Sequence, residues 1–183
     1  MLTGITLFRL VPAALLPVFV AVGFYQAEKK GRFNRFRYIW KQIIIGASFG
    51  IVAILATEFG IPANGAVVNV RNAAPLTAGL IFGWPAGLVA GFVGGVERWF
   101  SNAGDFTRLA CSIGTIVAGI LGAGVRKFMM DNKKASWFYG LAIGVTSEVL
   151  HMLLVFLTNA SDIQQAFTVV QICAIPMIAA NGI

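Results

Sequence analysis

Asn69-Val70-Arg71-Asn72 sets a guanidinium between carboxamides at the start of an apolar run. Arginine suits two-pronged binding of a carboxylate or phosphate, and the asparagines Asn69 and Asn72 can add hydrogen bonds. A helix starting here would turn free amides toward an anion. Arg98 closes a glycine-rich run. Arg108, Cys111, Ser112 and Thr115 recur at i, i+3, i+4 and i+7, so one helix face carries a cation, a thiol and two hydroxyls. Glu148 and His151 form a further i, i+3 pair. Taken together, these residue types point to binding of a small anion. The plainer alternatives are that Arg98 snorkels or pairs with Glu97 or Glu58, that Arg108 anchors a helix end, and that His151 is a satisfied core residue.

Catalytic and cofactor chemistry finds little support. There is no phosphate-binding loop, metal cluster or carboxylate dyad, and no cofactor is expected. Cys111 and Cys173 lie in apolar runs without a CxxC spacing, which argues against a disulfide framework or zinc site. Gly46-Ala47-Ser48-Phe49-Gly50 fits G-x-S-x-G, but that motif requires a strand-to-helix elbow. Here it lies inside an apolar run. Ser48 and His151 would differ in depth by about 12 Å at 1.5 Å per residue, too far for a nucleophile and its base. The segment is therefore expected to be a helix-packing face.

The elements that position these residues must lie in a membrane. Hydrophobic residues make up 58% of the 183-residue chain and charged residues 11%, against about 25% charged in ordinary soluble domains. Apolar runs cover approximately 5–25, 42–58, 69–83, 85–101, 107–125, 136–157 and 163–183. An all-α polytopic bundle of about six or seven spans is predicted, as one domain over 1–183. The start of the chain lacks the basic n-region and cleavage site of a removable signal peptide, so the first run should be retained as a span. Runs three and four are short and meet at Gly83-Trp84-Pro85, as two tilted helices or a re-entrant pair. Gly79 and Gly83, Gly87, Gly91 and Gly95, and Ala118 and Gly122 repeat at every fourth position, which lets spans three to five approach closely. Pro12, Pro17, Pro75 and Pro176 are expected to kink their helices.

The net charge of +7 would suggest nucleic acid, but its distribution does not. Ten of the fourteen basic residues fall in 28–41 (Lys29, Lys30, Arg32, Arg35, Arg37, Lys41) and 126–134 (Arg126, Lys127, Lys133, Lys134). Such loops between apolar runs lie in the cytoplasm and can attract anionic lipid headgroups. Four spans separate them, so both share a side. The N-terminus is then outside and the C-terminus cytoplasmic. The remaining cations, Arg9, Arg71, Arg98 and Arg108, fall in the outer half with Glu58, Glu97, Asp105, Glu148 and Asp162.

NVR at 69–71, GLIFGWPAGLVAGFVGGVERWF at 79–100, DFTRLACSIGTIVAGILGAGVRKF at 105–128 and IPMIAANGI at 175–183 resemble the LytS-type transmembrane receptor domain of bacteria. The likeness is strongest over 67–128. It implies a sensory input for membrane histidine kinases or diguanylate cyclases in the bacterial inner membrane, signalling as a homodimer in the full-length receptor. It also implies, for members that sense small carboxylates such as pyruvate, that Arg71, Arg98 and Cys111 contact the ligand. A serine three residues after the cysteine belongs to that set, and Gly114 stands in its place. Ser112 or Thr115 could supply the hydroxyl. The chain resembles a sensor domain cut from a longer receptor, with no kinase, cyclase or GAF sequence and no catalytic residue of its own. The expected partners are a small anion such as a carboxylate and the bilayer. The alternative is a substrate-binding membrane subunit of a small-molecule transporter.

Overall fold

The computed structural model describes residues 8, 10–33, 36–129 and 137–181. The expectations for Arg9, Arg35, Lys133 and Lys134, and for the outermost residues of the first and last runs, lie outside these.

Among the described residues, seven α-helices follow the seven apolar runs. They are α1 (Leu10–Lys29), α2 (Tyr38–Glu58), α3 (Ala73–Phe82), α4 (Trp84–Phe100), α5 (Arg108–Phe128), α6 (Trp137–Thr158) and α7 (Ile163–Asn181). Short 3-10 turns at Asp105–Thr107 and Ala160–Asp162 lead into α5 and α7. Five helices (α1, α2, α5, α6 and α7) are long and apolar enough to cross a bilayer. Their outer surfaces carry exposed Phe19, Ile51, Leu157 and Ile175 among many others. A contiguous apolar skin of this extent is stable only in lipid.

The third run departs from expectation. It yields a helix of only 10 residues, rising about 15 Å, half of a hydrocarbon core about 30 Å thick. Before it runs a small antiparallel hairpin, β1 (Ile61–Ala63) and β2 (Ala66–Val68), paired Ile61 to Val68 and Ala63 to Ala66. Asn64 and Gly65 both take positive φ at its tip, as a two-residue hairpin turn requires. Val67 through Asn72 are all buried. β2 and Val70 pack against Met152 of α6 and Val169, Cys173 and Met177 of α7. Non-helical backbone is tolerated at membrane depth only when protein covers it; here residues 67–72 are buried, while the hairpin tip is exposed.

Glycines set the spacing of the central helices. A Cβ on Gly87 of α4 would lie 2.6 Å from the Gly119 carbonyl oxygen of α5, and one on Gly79 of α3 2.5 Å from that same oxygen. Three backbones therefore meet where side chains cannot fit, the close packing expected of spans three to five. Gly46 and Gly50 of α2 seat Val89 and Val93 of α4 in the same way, so the G-x-S-x-G segment is a packing face. Pro17 and Pro176 lie within α1 and α7. Pro12 and Pro75, expected to kink, fall instead in the first turns of α1 and α3, where no amide donor is needed.

The two basic segments share one end of the bundle. Lys41 at the start of α2 pairs with Glu28 at the end of α1, and both line a cavity with Arg126 and Lys127 at the end of α5. Arg126 Nη1 also donates to the Leu80 and Ile81 carbonyls, at 3.1 and 2.6 Å, closing the end of α3. The hairpin marks the opposite end, where Gly65 neighbours Gln165 at the start of α7. With α3 ending at the basic face, its first residues lie near mid-depth. The Arg71 guanidinium reaches back toward the hairpin end, where it meets Thr57, one residue from the end of α2.

Candidate functional site

Two polar groups meet in the interior where the extended segment turns into α3. The first is a network around Asn72. Its Nδ2 donates to Glu148 Oε1 at 2.8 Å and its Oδ1 accepts from Thr115 Oγ1 at 3.2 Å. Thr115 also contacts the Cys111 carbonyl at 2.8 Å. The His151 ring bridges two helices: Nδ1 lies 3.3 Å from Glu148 Oε2, and Nε2 lies 3.3 Å from Cys111 Sγ. With its proton on Nδ1, the ring donates to the carboxylate and offers Nε2 to the thiol. Glu148 is fully buried and Asn72, His151 and Thr115 nearly so. None of their buried side-chain nitrogens or oxygens lacks a partner.

The second group is a pair of arginines. Arg71 (2% exposed) and Arg98 (1%) are the two largest fully buried side chains of the described residues. Arg71 Nε donates to Thr57 Oγ1 at 2.7 Å, Nη2 reaches the same hydroxyl, and Nη2 lies 3.9 Å from Glu97 Oε2. Arg98, the next residue on α4, spends Nη2 on the Gly104 carbonyl at 2.6 Å. Arg71 Nη1, Arg98 Nε, Arg98 Nη1 and Glu97 Oε2 are buried without a hydrogen-bond partner among the described residues. Thr57 and Gly104, which hold the two guanidiniums, both line an open cavity of about 490 Å³ beside the hairpin. The guanidiniums themselves lie behind Thr57 and Gly104 and do not line it.

Sequence patterning placed these side chains unevenly. Cys111 and Thr115 share the inward face of α5 with Glu148 and His151 of α6, as their spacings predict. Ser112 does not join them; its hydroxyl returns to the Arg108 carbonyl of its own helix at 2.9 Å. Arg108 pairs with Asp105 at a partly exposed helix end and stays outside the network. Asn69 orders the turn, its Oδ1 accepting from the Arg71 backbone amide at 3.2 Å. The amides at the start of α3 are not free for an anion, because Ala73 N donates to Asn181 Oδ1 of α7 at 3.1 Å. Gly114 lies against the His151 ring: a Cβ there would sit 3.1 Å from Cδ2. The missing serine thus leaves room for the imidazole.

Thr57 and Asn181 were not anticipated. Asn181 Nδ2 donates to the Asn69 carbonyl at 3.2 Å, while Oδ1 takes the Ala73 amide. One side chain near the end of α7 therefore grips both sides of the Arg71 turn. The only local hint is a carboxamide or hydroxyl alone in an apolar run, which names no partner.

Comparison with known proteins identifies the family. The family described as 5TMR of 5TMR-LYT matches residues 31–183. The chain is 30% identical over 136 residues to the sensor histidine kinase YpdA of Escherichia coli K12, covering 74% of this chain and 24% of that protein. It is 29% identical over 138 residues to the sensor histidine kinase BtsS of the same organism, with the same coverages. It is 31% identical over 161 residues to the sensor protein LytS of Staphylococcus saprophyticus, covering 79% and 26%. The chain thus spans about a quarter of the length of the curated relatives it matches. No solved structure matches.

Proposed function

This chain belongs to the 5TMR-LYT family, the membrane sensor module of LytS-, YpdA- and BtsS-type histidine kinases, and from that premise we propose that its arginine pair receives a small carboxylate-like anion. The observation that carries this reading is the set of three unpartnered guanidinium nitrogens on Arg71 and Arg98. Each buried donor left unmade costs about 1–3 kcal/mol, a cost that a bidentate anion would reverse. The ligand enters from the hairpin side, which the positive-inside rule places outside the cytoplasm. Arg71 and Arg98 clamp the carboxylate, and Cys111, through the thiol held by His151, faces the rest of the ligand.

Binding would be transmitted by Asn181. It joins the Arg71 turn to α7, which runs from the hairpin end back toward the basic end. A ligand that pulls Arg71 away from Thr57 alters the Asn69 carbonyl and Ala73 amide, and with them the seat of α7. The effect requires that the ligand bind one arrangement better than the other. Relatives named as sensor histidine kinases support an output of that kind; a diguanylate cyclase is the other output, and the full-length receptor would act as a dimer in the bacterial inner membrane.

The test is a thermal-shift series on the purified chain in detergent with acetate, lactate, pyruvate and succinate. At least one should raise Tm in a saturable way, and Arg71→Met should abolish the rise while leaving the unliganded protein folded. Absence of a shift with every anion, or an undiminished shift in Arg71→Met, would remove the arginine pair as the receptor site.

A further inference from the structure

We infer a second site at the opposite end of the bundle, which takes the headgroup of an anionic phospholipid bearing a free hydroxyl. It is the cavity of about 460 Å³ enclosed by the starts of α2 and α4 and the end of α5. Three cations line it, Lys41, Arg126 and Lys127, against one carboxylate, Glu28. The 17-residue helix α4 begins there, at Trp84 and Pro85, and turns its N-terminal dipole toward the cavity. Arg126 Nε lies 3.7 Å from the position a Cβ would take on Gly83, so the guanidinium and the helix start converge on one point.

A second observation, independent of charge, points to a ligand. Gln42 lines the same cavity, is 3% exposed, and its buried Oε1 has no hydrogen-bond partner among the described residues. An unmet acceptor beside a cationic pocket fits a particular chemistry. A phosphodiester accepts from the lysines, Arg126 and the helix start, while a hydroxyl on the headgroup donates to Gln42 Oε1. The surroundings favour a lipid over a soluble phosphate ester. Tyr38 and Trp84 line the cavity and are 62% and 44% exposed, and aromatic residues of this kind sit at headgroup level in a bilayer. A lipid held here would touch the end of α3, whose other end carries the Arg71 turn.

The experiment is native mass spectrometry of the purified chain released from mixed micelles of phosphatidylcholine with phosphatidylglycerol or phosphatidic acid. One phosphatidylglycerol per chain should be retained in preference to phosphatidylcholine. Lys127→Gln should weaken that retention about fivefold, as expected for one cation near an anionic headgroup. Gln42→Leu should remove the preference for phosphatidylglycerol over phosphatidic acid, which lacks the headgroup hydroxyls, without reducing phosphatidic acid retention. Equal retention in wild type and Lys127→Gln would overturn the site. Tight binding of free glycerol phosphate with no lipid preference would overturn the lipid assignment. A melting temperature unchanged in both variants separates lost binding from lost folding.

Discussion

The Asn72 network and the arginine pair share one turn of chain and almost the same burial, yet they are built to opposite rules. Around Asn72 every buried donor and acceptor is matched, through side chains contributed by the α3 entry, α5 and α6. Around Arg71 and Arg98, two permanent cations have one carboxylate at 3.9 Å and several nitrogens with no partner. A satisfied polar network rigidifies a core, and a partly satisfied one costs stability. The first region therefore serves as frame. The second holds hydrogen-bonding capacity that is unmet among the described residues, the capacity the proposed anion would use. Adjacency lets the matched network hold the arginines in place, where the proposed anion would bind.

Breaking the frame should cost the most. Asn72→Leu strips Glu148 of a donor and Thr115 of an acceptor, and should destabilise the chain by about 3 kcal/mol, measured by thermal or denaturant melts in detergent. If that variant melts like wild type, the network is not structural. Asn181→Leu leaves the Ala73 amide and Asn69 carbonyl unmatched and should cost about 2 kcal/mol. It should also uncouple α7, so that spin labels on α7 and α2 no longer change separation when an anion binds. Gly114→Ser pushes on the His151 ring and should cost about 1 kcal/mol, with the Cys111 thiol becoming more reactive toward a maleimide as the imidazole withdraws. Arg98→Met should change stability least, within about 1 kcal/mol of wild type, because a buried cation without a full partner set is replaced by an apolar chain. The same substitution should abolish anion-dependent stabilisation. A large loss of stability in Arg98→Met would erase the distinction between the two regions.

Much of the architecture was legible in the chain. Every apolar run became a helix, with most ends within a few residues, because a long apolar run in a bilayer has no choice but to close its own hydrogen bonds. The glycine repeats announced close packing for the same local reason. One legible feature went unread: Asn64-Gly65 between apolar residues is a strong hairpin turn. The hairpin lies in the gap between runs two and three, and starting the third span at 69 overstated α3. Hydropathy does not distinguish a buried extended segment such as 67–72 from a helix.

The sequence by itself determined which residues must leave water, which end carries the excess positive charge, and which polar side chains are too few and too odd to be surface. Those are properties of composition and short-range period, and they need no partner. Tertiary structure alone decided that Cys111 meets His151 forty residues on, that Asn72 meets Glu148, and that Asn181 closes on Asn69 from 112 residues away. It also decided that Ser112 and Arg108 stay apart from them. Contacts at that separation depend on helix rotation and on the depth at which α3 begins. Both are fixed by glycine-sized clearances between three backbones, not by any pattern within one helix.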